Sequence, residues 1–144
     1  MVHVAWQDAP EDHDFPAATD YLSLLGSATA VEAWVAGLRA APTVRRKAKD
    51  ILRAARLSLF PVDNPHVASD LAKVRHGKAL SPVLLVRGNL ADGTALQIAD
   101  GYHRVCASYH LDENTDIPCR LIDASGIPAA GREGQPRSET STTP

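Results

Sequence analysis

The residues best suited to chemistry lie in the segment IADGYHRVCASYH, residues 98–110. Gly101 stands where an apolar run ends and apolar residues at helical spacing begin, which predicts a glycine turn that opens a helix. Such a turn leaves backbone N–H groups at the positive end of the helix dipole. His103 and Arg104 add side-chain donors at the same place. Together these donors favour the binding of an anion, most often a phosphate.

Two carboxylates and one phenol accompany this anion site in the sequence. Asp100 directly precedes the glycine, where it could cap the helix, hold Mg²⁺ beside the phosphates, or accept a proton from a hydroxyl substrate. Asp63, in the connector FPVDNP, is a second candidate for the catalytic roles. Tyr102 is expected to form a wall of the pocket rather than to react. The sequence leaves the three roles of Asp100 open.

The elements that position these residues can be predicted from hydrophobic spacing and from Gly and Pro breakers. Three helices are expected before residue 60. The first begins at Pro16, the second covers about 29–40 and the third covers about 44–57. A change of pattern follows. We expect, in order, a helix in HVASDLAKVRHG, a strand in PVLLVRG, a turn in NLADG, a strand in TALQIA, the helix from Tyr102, and a strand in IPCRLI. The two strands around NLADG should pair as a hairpin.

Composition divides the chain into four parts. They are an acidic flexible lead-in (1–15), an N-terminal helical segment (16–60), an α+β core (61–123) and a flexible tail (124–144). The tail is assigned from its few large apolar residues and its many Pro, Gly, Ser and Thr.

Length and charge narrow the class of protein. The chain has 144 residues, 44% of them hydrophobic, with a net charge of −2. These values suit one domain and give no bulk attraction to nucleic acid or membrane. Cys106 and Cys119 are too few for a disulfide framework and are expected in the core. No apolar run approaches the roughly 20 residues of a membrane span, and the start lacks the features of a signal peptide. We therefore expect a cytoplasmic protein.

The order helix, strand, turn, strand, Gly-x-His-Arg, helix, strand over residues 61–122 resembles the ParB/sulfiredoxin fold. The comparable sulfiredoxin loop reads Gly-Gly-Cys-His-Arg and binds ATP phosphates. The resemblance implies that Gly101, Tyr102, His103 and Arg104 bind the phosphates of ATP or another nucleotide, with Mg²⁺ as a further cofactor. Family members also bind phosphate through the preceding helix. His66, Ser69 and Lys73 occupy the matching positions in this sequence, and their spacing places them on one helix face.

One departure from the family pattern concerns activity. Sulfiredoxin uses the cysteine before His-Arg for covalent chemistry, whereas this sequence has Tyr102, and Cys106 comes about one helical turn later. Repair of sulfinic acids is therefore not expected. The Asp-Gly-x-His-Arg form is similar to a free-serine kinase and to the ParB domains that hydrolyse CTP. This similarity implies phosphoryl transfer to a small hydroxyl substrate, or nucleotide hydrolysis. ParB proteins carry a helix-turn-helix domain after this module, and no such domain is expected after Ile122.

A rival function depends on the basic segment TVRRKAKDILRAARL. As a helix over 44–57, it would place Arg45, Lys49, Arg53 and Arg56 on one face, where they could contact nucleic-acid phosphates. The alternative is thus a non-enzymatic module that binds DNA or protein. A solvated helix surface explains the same pattern, so both explanations stay open. A homodimer is compatible with either function.

Overall fold

A computed structural model describes residues 3–124 of the chain. Within this range the fold is α+β, with five helices and a four-stranded mixed sheet. The elements, in chain order, are α1 (Asp14–Leu22), α2 (Ala28–Ala40), β1 (Thr43–Lys47), α3 (Ala48–Ala55), α4 (Pro65–Arg75), β2 (Val83–Val86), β3 (Gln97–Asp100), α5 (Tyr102–Leu111) and β4 (Asp116–Ile122). The α+β class is as predicted.

The sheet has the strand order β1-β4-β2-β3. β2 and β3 form the predicted antiparallel hairpin, and β4 returns to lie parallel to β2. A parallel return needs a crossover connection, which α5 provides. β1 pairs antiparallel with the outer side of β4. The predicted hairpin, the helix that follows it and the last strand are therefore confirmed.

Side chains on the two faces of the sheet enter two separate cores. Val83 and Leu85 of β2 pack with α3 and α5 on one face. Leu84 and Val86 of the same strand pack with α1 and α2 on the other face. Because neighbouring strand residues point to opposite faces, a strand covered by helices on both sides is apolar throughout. The run VLLV of β2 is buried at all four positions for this reason.

The predicted helix over 44–57 is wrong in its first part. Residues Thr43–Lys47 form β1, and α3 begins only at Ala48. The backbone of β1 pairs with β4, with Val44 opposite Cys119. This pairing with a distant strand overrides the local helical pattern. The segment 16–60 is therefore not purely helical, since it supplies an edge strand to the sheet.

The acidic lead-in also differs from the expectation. Trp6 forms a bridge with Leu80, and its ring packs against the first core. Asp14, which falls within the lead-in expected to be flexible, begins α1 and has only 2% of its surface exposed. Residues 5–7 therefore have defined partners in the fold. The predicted tail, apart from Ala124, lies outside the described residues.

The helices are short. Within residues 3–124, none combines the length and the apolar character needed to cross a membrane.

Candidate anion-binding site

Gly101 joins β3 to α5 in a conformation that requires glycine. Its φ is 111°, in the left-handed region that other residues rarely adopt. A Cβ atom there would lie 2.8 Å from Cβ of Val83 and 2.9 Å from Nη2 of Arg104. The glycine therefore lets the chain pass close to β2 while turning directly into the helix.

The N-terminus of α5 is open toward one side. Gly101 is the N-cap residue, and no side chain caps the helix. The first helical hydrogen bond runs from N of Val105 to O of Gly101. The N–H groups of residues 102–104 precede that bond and lie at the positive end of the helix dipole. The helix-cap role considered for Asp100 is therefore not the one seen.

A cavity of about 200 Å³ lies in front of this helix end. The α4 helix contributes His66, Ser69, Asp70 and Lys73 to its walls, and the segment around Gly101 contributes Asp100, Gly101, His103 and Arg104. Asn64 begins α4 by accepting hydrogen bonds from N of His66 and N of Val67, which starts the helix beside the cavity. The structure thus brings together the two groups of residues that were predicted as phosphate ligands, apart from Tyr102.

Arg104 is held by a buried polar network. Its Nη2 donates to Oδ2 of Asp100 and its Nη1 donates to Oγ of Ser81, both at 2.8 Å. Oδ1 of Asp14 lies 3.7 Å from Nη1, and Oγ of Ser81 donates to Oδ2 of Asp14 at 2.8 Å. Only 15% of the Arg104 side chain is exposed. The guanidinium is therefore fixed in place by two carboxylates and faces the cavity from a set position.

The carboxylate of Asp100 is mostly buried and is paired with Arg104. Burial raises the pKa of its carboxyl group, and Asp14 raises it further, while the guanidinium of Arg104 opposes the change. Its proposed roles as a base or as a Mg²⁺ ligand must therefore compete with its ion pair to Arg104.

His103 lies in a row of rings beside the cavity. Its ring is 4.6 Å from that of His66 and 5.2 Å from that of Phe60, centroid to centroid. Burial lowers the pKa of His103, and the neighbouring His66 lowers it further, although Asp70 opposes this. The lowered pKa favours the neutral form of His103, which can donate a hydrogen bond from one ring nitrogen.

Asp70 is a cavity residue that the sequence analysis missed. It is 9% exposed, and its Oδ1 lies 3.8 Å from Nζ of Lys73. Burial raises the pKa of Asp70, and Lys73 opposes this most strongly among its cationic neighbours. Its position four residues after His66 on α4 was the available signal, because that spacing places both on one helix face.

Two predicted site residues lie elsewhere. Tyr102 does not line the cavity, because its ring stacks on Phe60 at 4.4 Å and its hydroxyl donates to O of Ser58 at 2.7 Å. Its expected role as a pocket wall therefore stays a prediction. Asp63 is exposed and likewise does not line the cavity.

The basic residues do not form the single helix face that was predicted. Arg45 lies on β1, whereas Lys49 and Arg53 lie on α3. Arg56 ends α3 with a positive φ of 58°, and its Nη1 donates to O of Gly93 at 2.9 Å. Arg53 pairs with Asp50 at 3.0 Å. Arg45 therefore lies on a strand, whereas the other three cations lie on α3 or at its end.

The two cysteines are core residues, as predicted. Both are free and fully buried. Burial raises the pKa of Cys106, and it raises the pKa of Cys119 to about 12. Neither thiol is a ready nucleophile, because the thiolate is the reactive form.

A further polar group, which shares Asp14 with the Arg104 network, lies at the start of α1. Ligand atoms of Glu11, His13 and Asp14 lie within 4.8 Å of one another. Asp14 already accepts hydrogen bonds from N of Glu11 and from Ser81, which explains the cluster without a metal ion.

Comparison with known proteins finds no matching family model, no matching curated protein and no matching solved structure. The chain is therefore defined by its α+β fold and by the cavity between α4 and α5.

Proposed function

We propose that this protein binds a nucleotide, ATP or a related one, through a ParB/sulfiredoxin-type core. One observation carries the proposal. The resemblance predicted phosphate contacts from His66, Ser69 and Lys73 on one helix and from the Gly101 turn on another, and these residues line one cavity. The α4 residues and the Gly101 turn lie more than 25 positions apart in the sequence, so local pattern alone does not bring the two groups together.

Each side of the cavity would do a different part of the binding. The N–H groups at the start of α5 and the His103 ring would donate hydrogen bonds to phosphate oxygens. Lys73 would neutralise a terminal phosphate, and Ser69 would donate a hydrogen bond from α4. Arg104 would present its guanidinium from the fixed position that Asp100 and Ser81 impose.

Charge balance supports a nucleotide that arrives with its Mg²⁺. The formal charges of Lys73 and Arg104 are cancelled by those of Asp70 and Asp100. A bare polyanion would gain little from such a cavity, whereas carboxylate oxygens are the ligands that Mg²⁺ prefers. Asp70 and Asp100 would hold the ion, which would supply charge neutralisation at the phosphates.

Phosphoryl transfer to a small hydroxyl substrate, or nucleotide hydrolysis, is the activity that we propose for this site. Such reactions depend mainly on positioning and charge neutralisation, which the fixed Arg104 and the helix N-terminus favour. Asp100 is the candidate base in the arrangement where Asp70, and not Asp100, holds the ion. We propose the cytoplasm as the setting, supported by two free thiols and no disulfide among the described residues.

The DNA-binding alternative receives less support. Its basic face was predicted on one helix, but Arg45 lies on β1, so the four cations do not share a helix face. Binding of a DNA duplex at physiological salt, lost on replacing Lys49, Arg53 and Arg56 with Ala, would favour that alternative.

Calorimetric titration with ATP, CTP and GTP in the presence of Mg²⁺ tests the proposal. We expect one of them to bind, and Lys73→Gln to weaken binding by about tenfold, the effect of losing one charge-assisted contact. Lys78→Gln is the matched control, because it removes the same charge from an exposed position just beyond α4. The proposal fails if no nucleotide binds, or if both variants bind as the wild type does.

A further inference from the structure

A second concave site lies at the opposite end of the sheet. Val83, at the start of β2, faces Gly101, whereas Arg87 and Gly88 follow the end of β2 and line this second site. We call it the arginine groove. Its volume is about 450 Å³, within the range of small-molecule sites. It lies between α3 and the β2–β3 hairpin and shares no lining residue with the anion-binding cavity.

The floor of the arginine groove is aliphatic. It consists of Ile51 of α3, Leu85 of β2, Leu121 of β4, and Leu96, which directly precedes β3. No aromatic ring contributes to the lining within residues 3–124, so a planar base or ring would find no side-chain ring to stack on. An alkyl chain fits such a floor better than a nucleobase does.

The rim of the arginine groove is cationic. Arg46, Arg53, Arg56 and Arg87 line it, together with Asp50. Oδ1 of Asp123 lies 3.1 Å from Nε of Arg87, so Arg87 is already paired. Arg53 bonds to Asp50 through Nη2, and Arg56 bonds to O of Gly93 through Nη1. Each of these two contacts uses one nitrogen of a guanidinium that carries five N–H donors. The exposed Arg53–Asp50 pair contributes little to stability. An incoming anion can therefore displace Asp50 or bind the remaining N–H donors of Arg53.

Two local features bear on what the arginine groove could hold. Leu90, on the hairpin turn at the groove, is 96% exposed, which gives an alkyl chain an apolar contact that the fold itself does not use. Arg56 ends α3 with left-handed backbone, a conformation that is common at helix C-termini. That backbone carries its guanidinium across the groove to Gly93.

We propose that the arginine groove binds an aliphatic carboxylate, with its chain on the leucine floor and its carboxylate against Arg53 and Arg56. Guanidinium groups match a carboxylate in both charge and geometry. A DNA duplex is disfavoured here, because the apolar floor is recessed between the helix and the hairpin and presents nothing to a phosphate backbone.

Sodium octanoate is the probe, titrated into ¹⁵N-labelled full-length protein and followed by amide chemical shifts. We expect saturable shifts at Ala54, Leu96 and Leu121, and none at Gly101. The Arg53→Gln/Arg56→Gln variant should bind about tenfold more weakly, as expected for the loss of two partly exposed charged contacts. Leu90→Ser should also weaken binding, and its side chain is too exposed to affect folding.

Controls separate recognition from general charge. Arg75→Gln/Lys78→Gln removes the same net charge from exposed positions outside the groove and should bind octanoate normally. Octanol, which lacks the carboxylate, and acetate, which lacks the chain, should both bind more weakly than octanoate. Circular dichroism melting confirms that each variant is folded.

Three outcomes overturn the proposal. Octanoate could fail to saturate, or it could bind both double variants equally. Alternatively, a DNA duplex could shift the same amides while octanoate does not, which would make the surface a nucleic-acid site. None of these measurements uses a nucleotide, so they do not depend on the proposed function of the other cavity.

Discussion

Removing the positive charge of Arg104 should destabilise the fold as well as alter the cavity. Asp14 and Asp100 both approach this guanidinium, and only 2% and 19% of their side chains are exposed. In Arg104→Gln the two carboxylates would remain close together without a cation. Breaking a buried pair in this way typically costs about 3–5 kcal/mol. We expect about 3 kcal/mol at neutral pH, the lower end, because Asp100 retains some exposure to solvent.

The pH dependence gives this prediction a sharper form. Two carboxylates without a cation between them hold a proton more tightly when folded than when unfolded, so the variant should regain stability as the pH falls. The difference from wild type should therefore shrink in mildly acidic buffer. Urea unfolding at several pH values, followed by circular dichroism, measures it.

Two further variants separate the network from general effects. Adding Asp100→Asn to Arg104→Gln removes one of the two stranded carboxylates and should restore part of the lost stability. Arg75→Gln, on the exposed end of α4, should change the free energy of unfolding by less than about 0.5 kcal/mol. If Arg104→Gln costs no more than Arg75→Gln, the network does not stabilise the fold, and our account of Arg104 is refuted.

Three other predictions follow from the site. Gly101→Ala should lower the free energy of unfolding by about 1–3 kcal/mol, because the φ of 111° and the contact with Val83 both disfavour a Cβ atom; thermal melting measures this, and an unchanged melting temperature would contradict it. Asp70→Asn should raise the free energy of unfolding at neutral pH and lose that advantage in acid. The pKa of Asp70 is raised in the folded protein, so its charged form, which dominates at higher pH, opposes folding. Urea unfolding at two pH values tests the sign. The protein should not reduce a hyperoxidised peroxiredoxin, because Cys106 is buried and its thiol pKa is raised; a repair assay that depends on Cys106 would disprove this.

The parts of the fold that the sequence predicted carry local signals. The glycine turn, the β2–β3 hairpin and α5 are each marked by a breaker beside a periodic run, so short windows were enough. β1 carries no such mark, because its residues TVRRK become a strand only by pairing with β4, with Thr43 opposite Arg120. The contacts of Tyr102 could not be predicted for a similar reason. Its direction is set by Phe60 and Ser58, more than 40 positions away in the sequence.

The predicted boundary at residue 61 separates residues that contribute to the same site. Asp14, from the acidic lead-in, accepts a hydrogen bond from Ser81 at 2.8 Å, and Ser81 in turn accepts one from Arg104. The position of the cavity's guanidinium thus depends on the first residue of α1, far from the Gly-x-His-Arg motif. Because α1 also packs over β3 through the second core, the N-terminal layer both covers the sheet and completes the network behind the cavity. Residues 61–123 alone would lack Asp14, one of the two carboxylates beside Arg104, and the site therefore depends on residues outside the predicted core.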